Sequence, residues 1–191
     1  MAENGTLRDA FVEELRDTYD AEKQITKALP KMIKAAQNDD LREALESHLE
    51  ETQAQIERLD QVFEMLDMRP RGIHCDGMAG IIEEGQEVVK EHDGPLRDAV
   101  MIASLQRVEH YEIAAYGTLA AWARQLGLED AAELLHTTLE EERMADEKLT
   151  ALAESHVNEA AATAAEPAGA NVRRGRQERT VAANRSPRRR R

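Results

Sequence analysis

Residues 107–122 read RVEHYEIAAYGTLAAW, and the fold is decided by how this string sits in its flanks. Continued back to residue 99, one helical face carries Ala99, Ile102, Ala103, Gln106, Glu109, Ile113, Tyr116 and Ala120. Apolar residues recurring every three or four positions mark an amphipathic helix. Here a carboxylate, Glu109, lies squarely on the face that should be buried, and Glu112 borders it one turn on. Asp93-Gly94-Pro95 opens this helix, with proline where its missing donor does no harm, and Gly127 closes it as a left-handed stop.

Outward from this helix the same period returns three times. A first stretch runs from about Leu7 to Ala36 through Phe11, Leu15, Tyr19, Ile25, Leu29 and Ile33, with Pro30 predicting a kink or break. Asn38-Asp39-Asp40 supplies a turn and N-cap for a second, Leu41 to Leu66. Glu129 to Ala153 forms the last long helix. Between the pairs, Arg69-Pro70-Arg71-Gly72 ends a helix, and Gly77 to Glu91 reads as a short, weak one inside a long crossover. Two antiparallel pairs joined by one long crossover define an all-α bundle of the ferritin-like arrangement.

Composition agrees. Aromatics are 3% of 191 residues while 41% are apolar and 33% charged, a palette that favours helices over sheets. The longest apolar run, Ala99 to Leu105, is far short of the roughly 20 residues of a membrane span. The opening MAENGTLRDAF lacks the features of a secretion signal, and the single Cys75 excludes an intramolecular disulfide framework. A cytoplasmic protein without membrane contact is expected. The net charge of −13 divides into an acidic body and a basic end: residues 171–191 hold nine Arg and one Glu, leaving −21 on residues 1–170. The expected division is a bundle over 1–155 and a disordered tail over 156–191, Ala-rich and then Arg-rich.

Several acids fall inside apolar stripes. Glu22 lies between Thr18 and Ile25, and Glu14 shares that face; the second helix offers His48, Thr52, Gln55 and, on the same side, Glu51. The fourth offers Glu141 and Glu142 among Leu134, Leu135, Thr138, Ala145 and Leu149. Glu22 and Glu51 are each 14.5 positions from the centre of the first turn at 36.5, and Glu112 and Glu142 are each 15 from Gly127. Antiparallel partners equidistant from their turn meet at one height. Buried ionised carboxylates must be protonated, paired with Arg or Lys, or neutralised by multivalent cations. Arg107 and Arg143 neighbour the acids but point elsewhere, so two divalent metals are the expected resolution, and oxygen-rich sites with an occasional imidazole suit iron or manganese.

The strings DTYDAEKQITKAL, HLEETQAQIERLDQVF, VEHYEIAAYGTLA and TLEEERMADEKL, with HCDGMAGIIEEG in the crossover, resemble the YciE/YciF-type ferritin-like stress proteins from about Leu7 to Ser155. That resemblance implies a dinuclear iron-type centre, a homodimer, a role in bacterial stress and ferroxidase activity. Glu22 matches the first ligand of the wider ferritin-like pattern, and Glu109-His-Tyr-Glu112 its Glu-x-x-Glu form. Met144 and Gln53 stand where that pattern has histidine, so the resemblance implies either an oxygen-dominated site that holds metal more weakly or an imidazole supplied by His48 or His110 instead.

The expected centre is two iron ions per chain, with manganese the alternative, held by Glu22, His48, Glu51, Glu109, Glu112, Glu141 and Glu142. Glu51 and either Glu112 or Glu141 would bridge, Glu22 and Glu109 would ligate terminally, and Fe²⁺ would be oxidised by O₂ or H₂O₂. A non-enzymatic helical stress protein whose acids hold protons is the alternative. The Arg-rich end adds weak, non-specific nucleic-acid contact, and a manganese catalase is a further option.

Overall fold

A computed structural model describes residues 5–164, and among them every regular element is helical. The order is α1 Leu7–Ala35, α2 Asp39–Met65, α3 Asp76–Glu91, α4 Gly94–Gln125, α5 Glu129–Leu152, a π-helical turn Ala153–Val157 and α6 Asn158–Thr163. The four long helices and the crossover helix match the sequence reading to within about two residues at each end. Helices α1 and α2 pack as one pair, α4 and α5 as the other, and α2 meets α5 while α1 meets α4 across the bundle.

Local chemistry accounts for the boundaries. Thr6 and Asp9 form a reciprocal capping box at the start of α1. The Asn38 side chain accepts from the Leu41 backbone N–H at 2.8 Å, the cap expected for α2. Gly127 takes φ +73°, the left-handed stop between α4 and α5. Pro30 does not break α1, which runs through it. A broken helix would expose apolar Leu29 and Met32, both buried in the core. Their burial outweighs the roughly 3 kcal/mol that an interior proline costs.

The crossover is tied to α1 rather than looped over it. Backbone N–H groups of Ile73 and Cys75 donate to the Arg16 carbonyl and the Asp20 carboxylate, at 3.1 and 3.0 Å. Cys75 is fully buried, caps α3 with its sulfur and lies 3.0 Å from the Tyr111 hydroxyl. At the other end helical backbone continues to Thr163, eight residues beyond the Ser155 limit read from composition. The tail expectation for 165–191 lies outside the described residues.

Two apolar cores occupy the bundle's ends. One gathers Ile25, Leu29, Leu41, Leu45, Met101, Ile102, Leu105 and Leu149, covered by Met78 of α3. The other gathers Phe11, Leu15, Leu59, Phe63, Tyr116, Leu119 and Leu135. Between them each long helix has an interval with no large buried apolar residue: around Glu22 in α1, 48–55 in α2, 109–112 in α4 and 142 in α5.

Candidate metal centre

Those intervals face one another. His48, Glu109, Glu112 and Glu142 each offer a ligand atom, and the four atoms lie within 4.8 Å of one another. All four residues are buried, as is Glu22, whose Oε1 accepts from the Tyr116 hydroxyl. Helix geometry explains the choice. In α5, Leu135, Leu139, Glu142 and Leu149 follow one another at four, three and seven positions along one inward row. In α2 the row is His48, Thr52, Gln55 and Leu59.

Unmet hydrogen bonding among the described residues is concentrated in the cluster. Ten buried side-chain polar atoms lack a partner among the described residues, and eight belong here: Glu22 Oε2, both His48 nitrogens, Gln55 Oε1, Glu109 Oε2, both Glu112 oxygens and Glu142 Oε2. His48 Nε2 and Glu109 Oε1 are 3.6 Å apart, too long for a hydrogen bond. Each unsatisfied buried group costs about 1–3 kcal/mol, and more when charged.

Burial sets the protonation. It pushes the Glu22 carboxyl up to about 8, reinforced by the Glu142 charge and opposed by the Tyr116 hydrogen bond. Burial likewise lifts Glu142 to about 7, against the relief of hydrogen bonds. Glu109 and Glu112 are raised well above the usual carboxylate range by burial and by the neighbouring acids. His48 moves the other way, down to about 4, because burial and the Lys148 charge disfavour the imidazolium. A neutral imidazole has a free lone pair and is the form that binds metal.

The donor set therefore fits metal. Four carboxylates carry −4 when ionised, two divalent ions carry +4, and eight unpartnered atoms supply oxygen-rich ligation with one imidazole. This buried group could bind a metal ion.

Two sequence-derived ligands fall outside it. Glu51 is exposed and accepts from Ser47 at 3.0 Å, because it sits about 70° around the helix from the His48–Gln55 row. Glu141 lies about 100° from Glu142 on α5 and is half-buried in a bidentate pair with Arg58, at 2.5 and 2.6 Å. His110 is at the surface, 3.4 Å from Asp146, so His48 is the imidazole that faces the cluster. Met144 is exposed, and Gln53 is exposed as well.

Two residues that shape the site were not singled out by the sequence reading as site residues. Gln55 Nε2 donates to Glu142 at 2.5 Å and to Glu141 at 3.2 Å, fixing the inner acid against its neighbour. Arg58 also reaches the Thr138 hydroxyl at 3.1 Å. Its position three residues after Gln55 and one before buried Leu59 was the available signal.

The fold and this cluster define a helical bundle of the ferritin-like arrangement, with a buried carboxylate–imidazole group able to hold metal. The chain belongs to the family described as Domain of unknown function (DUF892), whose pattern matches residues 6–162. It is 51% identical over 158 residues to the protein YciF of Escherichia coli K12, covering 82% of this chain and 95% of that protein. The crystal structure of that E. coli stress protein superposes with a TM-score of 0.77, covering 80% of this chain and 98% of the other. YcfI of Rhodopseudomonas palustris, also 51% identical, gives 0.76 over 78% of this chain and 97% of its own. A Xanthomonas campestris protein at 24% identity shares the fold, with a TM-score of 0.62 over 76% of this chain and 91% of that one.

Proposed function

We propose that this protein is a ferroxidase acting in a stress response, and that it binds Fe²⁺ as substrate at Glu22, His48, Glu109, Glu112 and Glu142. The observation that carries this reading is the set of eight unpartnered polar atoms converging at mid-bundle. Similarity to a protein described as a stress protein supports the setting. In one turnover two Fe²⁺ each give up one electron. With H₂O₂ as acceptor two protons are taken up and two waters form; with O₂ as acceptor two protons are taken up and one H₂O₂ forms.

The chain's own groups have separable tasks. The carboxylates surrender their protons as cations enter, since metal and proton compete for the same oxygens. Tyr116 holds one oxygen of Glu22 and leaves the other free. Gln55 does the same for Glu142. The Arg58–Glu141 pair fixes the rim, and the nearby Arg58 charge favours the ionised form of Glu22. The apolar cores above and below limit water access from either end.

Anaerobic titration with Fe²⁺ followed by addition of oxygen or peroxide tests the activity. The expected result is uptake near two ions per chain and oxidation faster than in buffer alone. Glu109→Ala combined with Glu112→Ala should abolish both while helicity by circular dichroism is retained. Unchanged oxidation in that variant would contradict the assignment.

A further inference from the structure

The two acids that fall outside the cluster, Glu51 and Glu141, line the same depression. A cleft of about 220 Å³ between α2, α4 and α5 runs from the surface inward. Its outer wall includes Glu51, Met144 and Lys148; Glu141 is part-way down, and His48 and Glu109 lie at the floor. The floor groups are 7% and 1% exposed, and both imidazole nitrogens and Glu109 Oε2 have no partner. Ala44, Leu45, Leu105, Ala145 and Leu149 complete the walls, so the oxygen and nitrogen donors are set at successive depths in an otherwise apolar cleft.

We propose that this cleft is the entry path for divalent cations, with Glu51 as the transient ligand at its mouth that passes the ion inward to Glu109 and His48, while Glu141, held by Arg58, shapes the wall. The inference rests on the metal reading of the cluster and adds a route and one residue, Glu51, to it. A hydrated divalent ion must exchange its water ligands before it can enter a buried site, and carboxylates at successive depths supply replacements stepwise. Acids in a cleft with low-dielectric walls also concentrate cations at its mouth. The hydrogen bonds of Gln55 to both Glu141 and Glu142 keep the rim acid and the inner acid adjacent. Lys148 is the cation that lines the cleft, and it opposes entry.

Charge variants of exposed residues test this without disturbing the core. The probe is Co²⁺, mixed anaerobically with the full-length protein in stopped flow and followed by its visible absorption. Glu51→Lys should slow association by a few-fold at low salt, and Lys148→Glu should speed it by a similar factor. Glu57→Lys alters the net charge as Glu51→Lys does, at an exposed position of α2 outside the cleft, and should leave the rate near wild type. All three should bind the wild-type number of ions. Equal rates for Glu51→Lys and Glu57→Lys, with uptake intact, would overturn the entry path alone. Failure of the wild-type protein to take up any Co²⁺ would instead remove the metal reading and this path with it.

Discussion

The apolar cores at the bundle's ends and the polar layer between them are built from the same four helices and obey opposite energetics. In the core around Phe11, Phe63 and Leu119 side chains are buried against one another, and removing any of them costs stability. In the layer around Glu22, Glu109, Glu112 and Glu142 the side chains are equally buried, yet mutual repulsion and missing partners make them costly to keep. Folding energy comes from the ends and is partly spent in the middle. A site that destabilises the metal-free protein is one that a bound cation can stabilise.

The largest expected difference is a core truncation. Leu119→Ala, at a fully buried position, should lower stability by about 2–5 kcal/mol with and without metal, measured by urea unfolding. Glu112→Gln in the layer should act in the opposite sense on the metal-free protein. It replaces a buried acid with a neutral isostere and should raise stability by about 1–3 kcal/mol at pH 8 while weakening metal uptake. A loss of stability comparable to that of the core variant would erase the contrast between the two regions.

pH sharpens the same contrast. A carboxyl raised to about 7 or 8 in the folded protein keeps its proton where the unfolded chain, near 4.5, has lost it. Stability of the metal-free protein must therefore fall as pH rises between the unfolded and folded values. The depressed His48 works the other way, but only between about 4 and 6.5. From pH 6.5 to 8 the carboxylates act alone, so the melting temperature of metal-free protein should decline across that window. Protein loaded with Mn²⁺ should show little of that decline. The smallest effect is expected from Tyr116→Phe, which removes one buried hydrogen bond to Glu22 but keeps the ring in its core, for about 1 kcal/mol or less.

Heights were easier to read from the sequence than directions. Counting residues from the two turns placed Glu22, Glu112 and Glu142 at one level, and the structure brings them together. The same count placed Glu51 at the right level and on the wrong side, because a helix position 70° off its inward row still resembles the row on a wheel. Glu141 and Glu142 are adjacent in sequence and 100° apart in space, so only packing decides between them. Arg58 escaped notice because its charge serves a partner 83 residues away, a pairing that no local pattern encodes. The ends of helices were legible where caps and glycine act locally, as at Thr6, Asn38 and Gly127. Pro30 shows the converse, since tertiary burial of Leu29 and Met32 overrides a local breaker.

Anomalous diffraction at the iron edge, from crystals grown anaerobically with Fe²⁺ above pH 7, tests most directly whether the buried acids are there for cations. Two peaks among Glu22, His48, Glu109, Glu112 and Glu142 are expected. Density confined to the surface, with those five side chains unshifted and no iron between them, would contradict it.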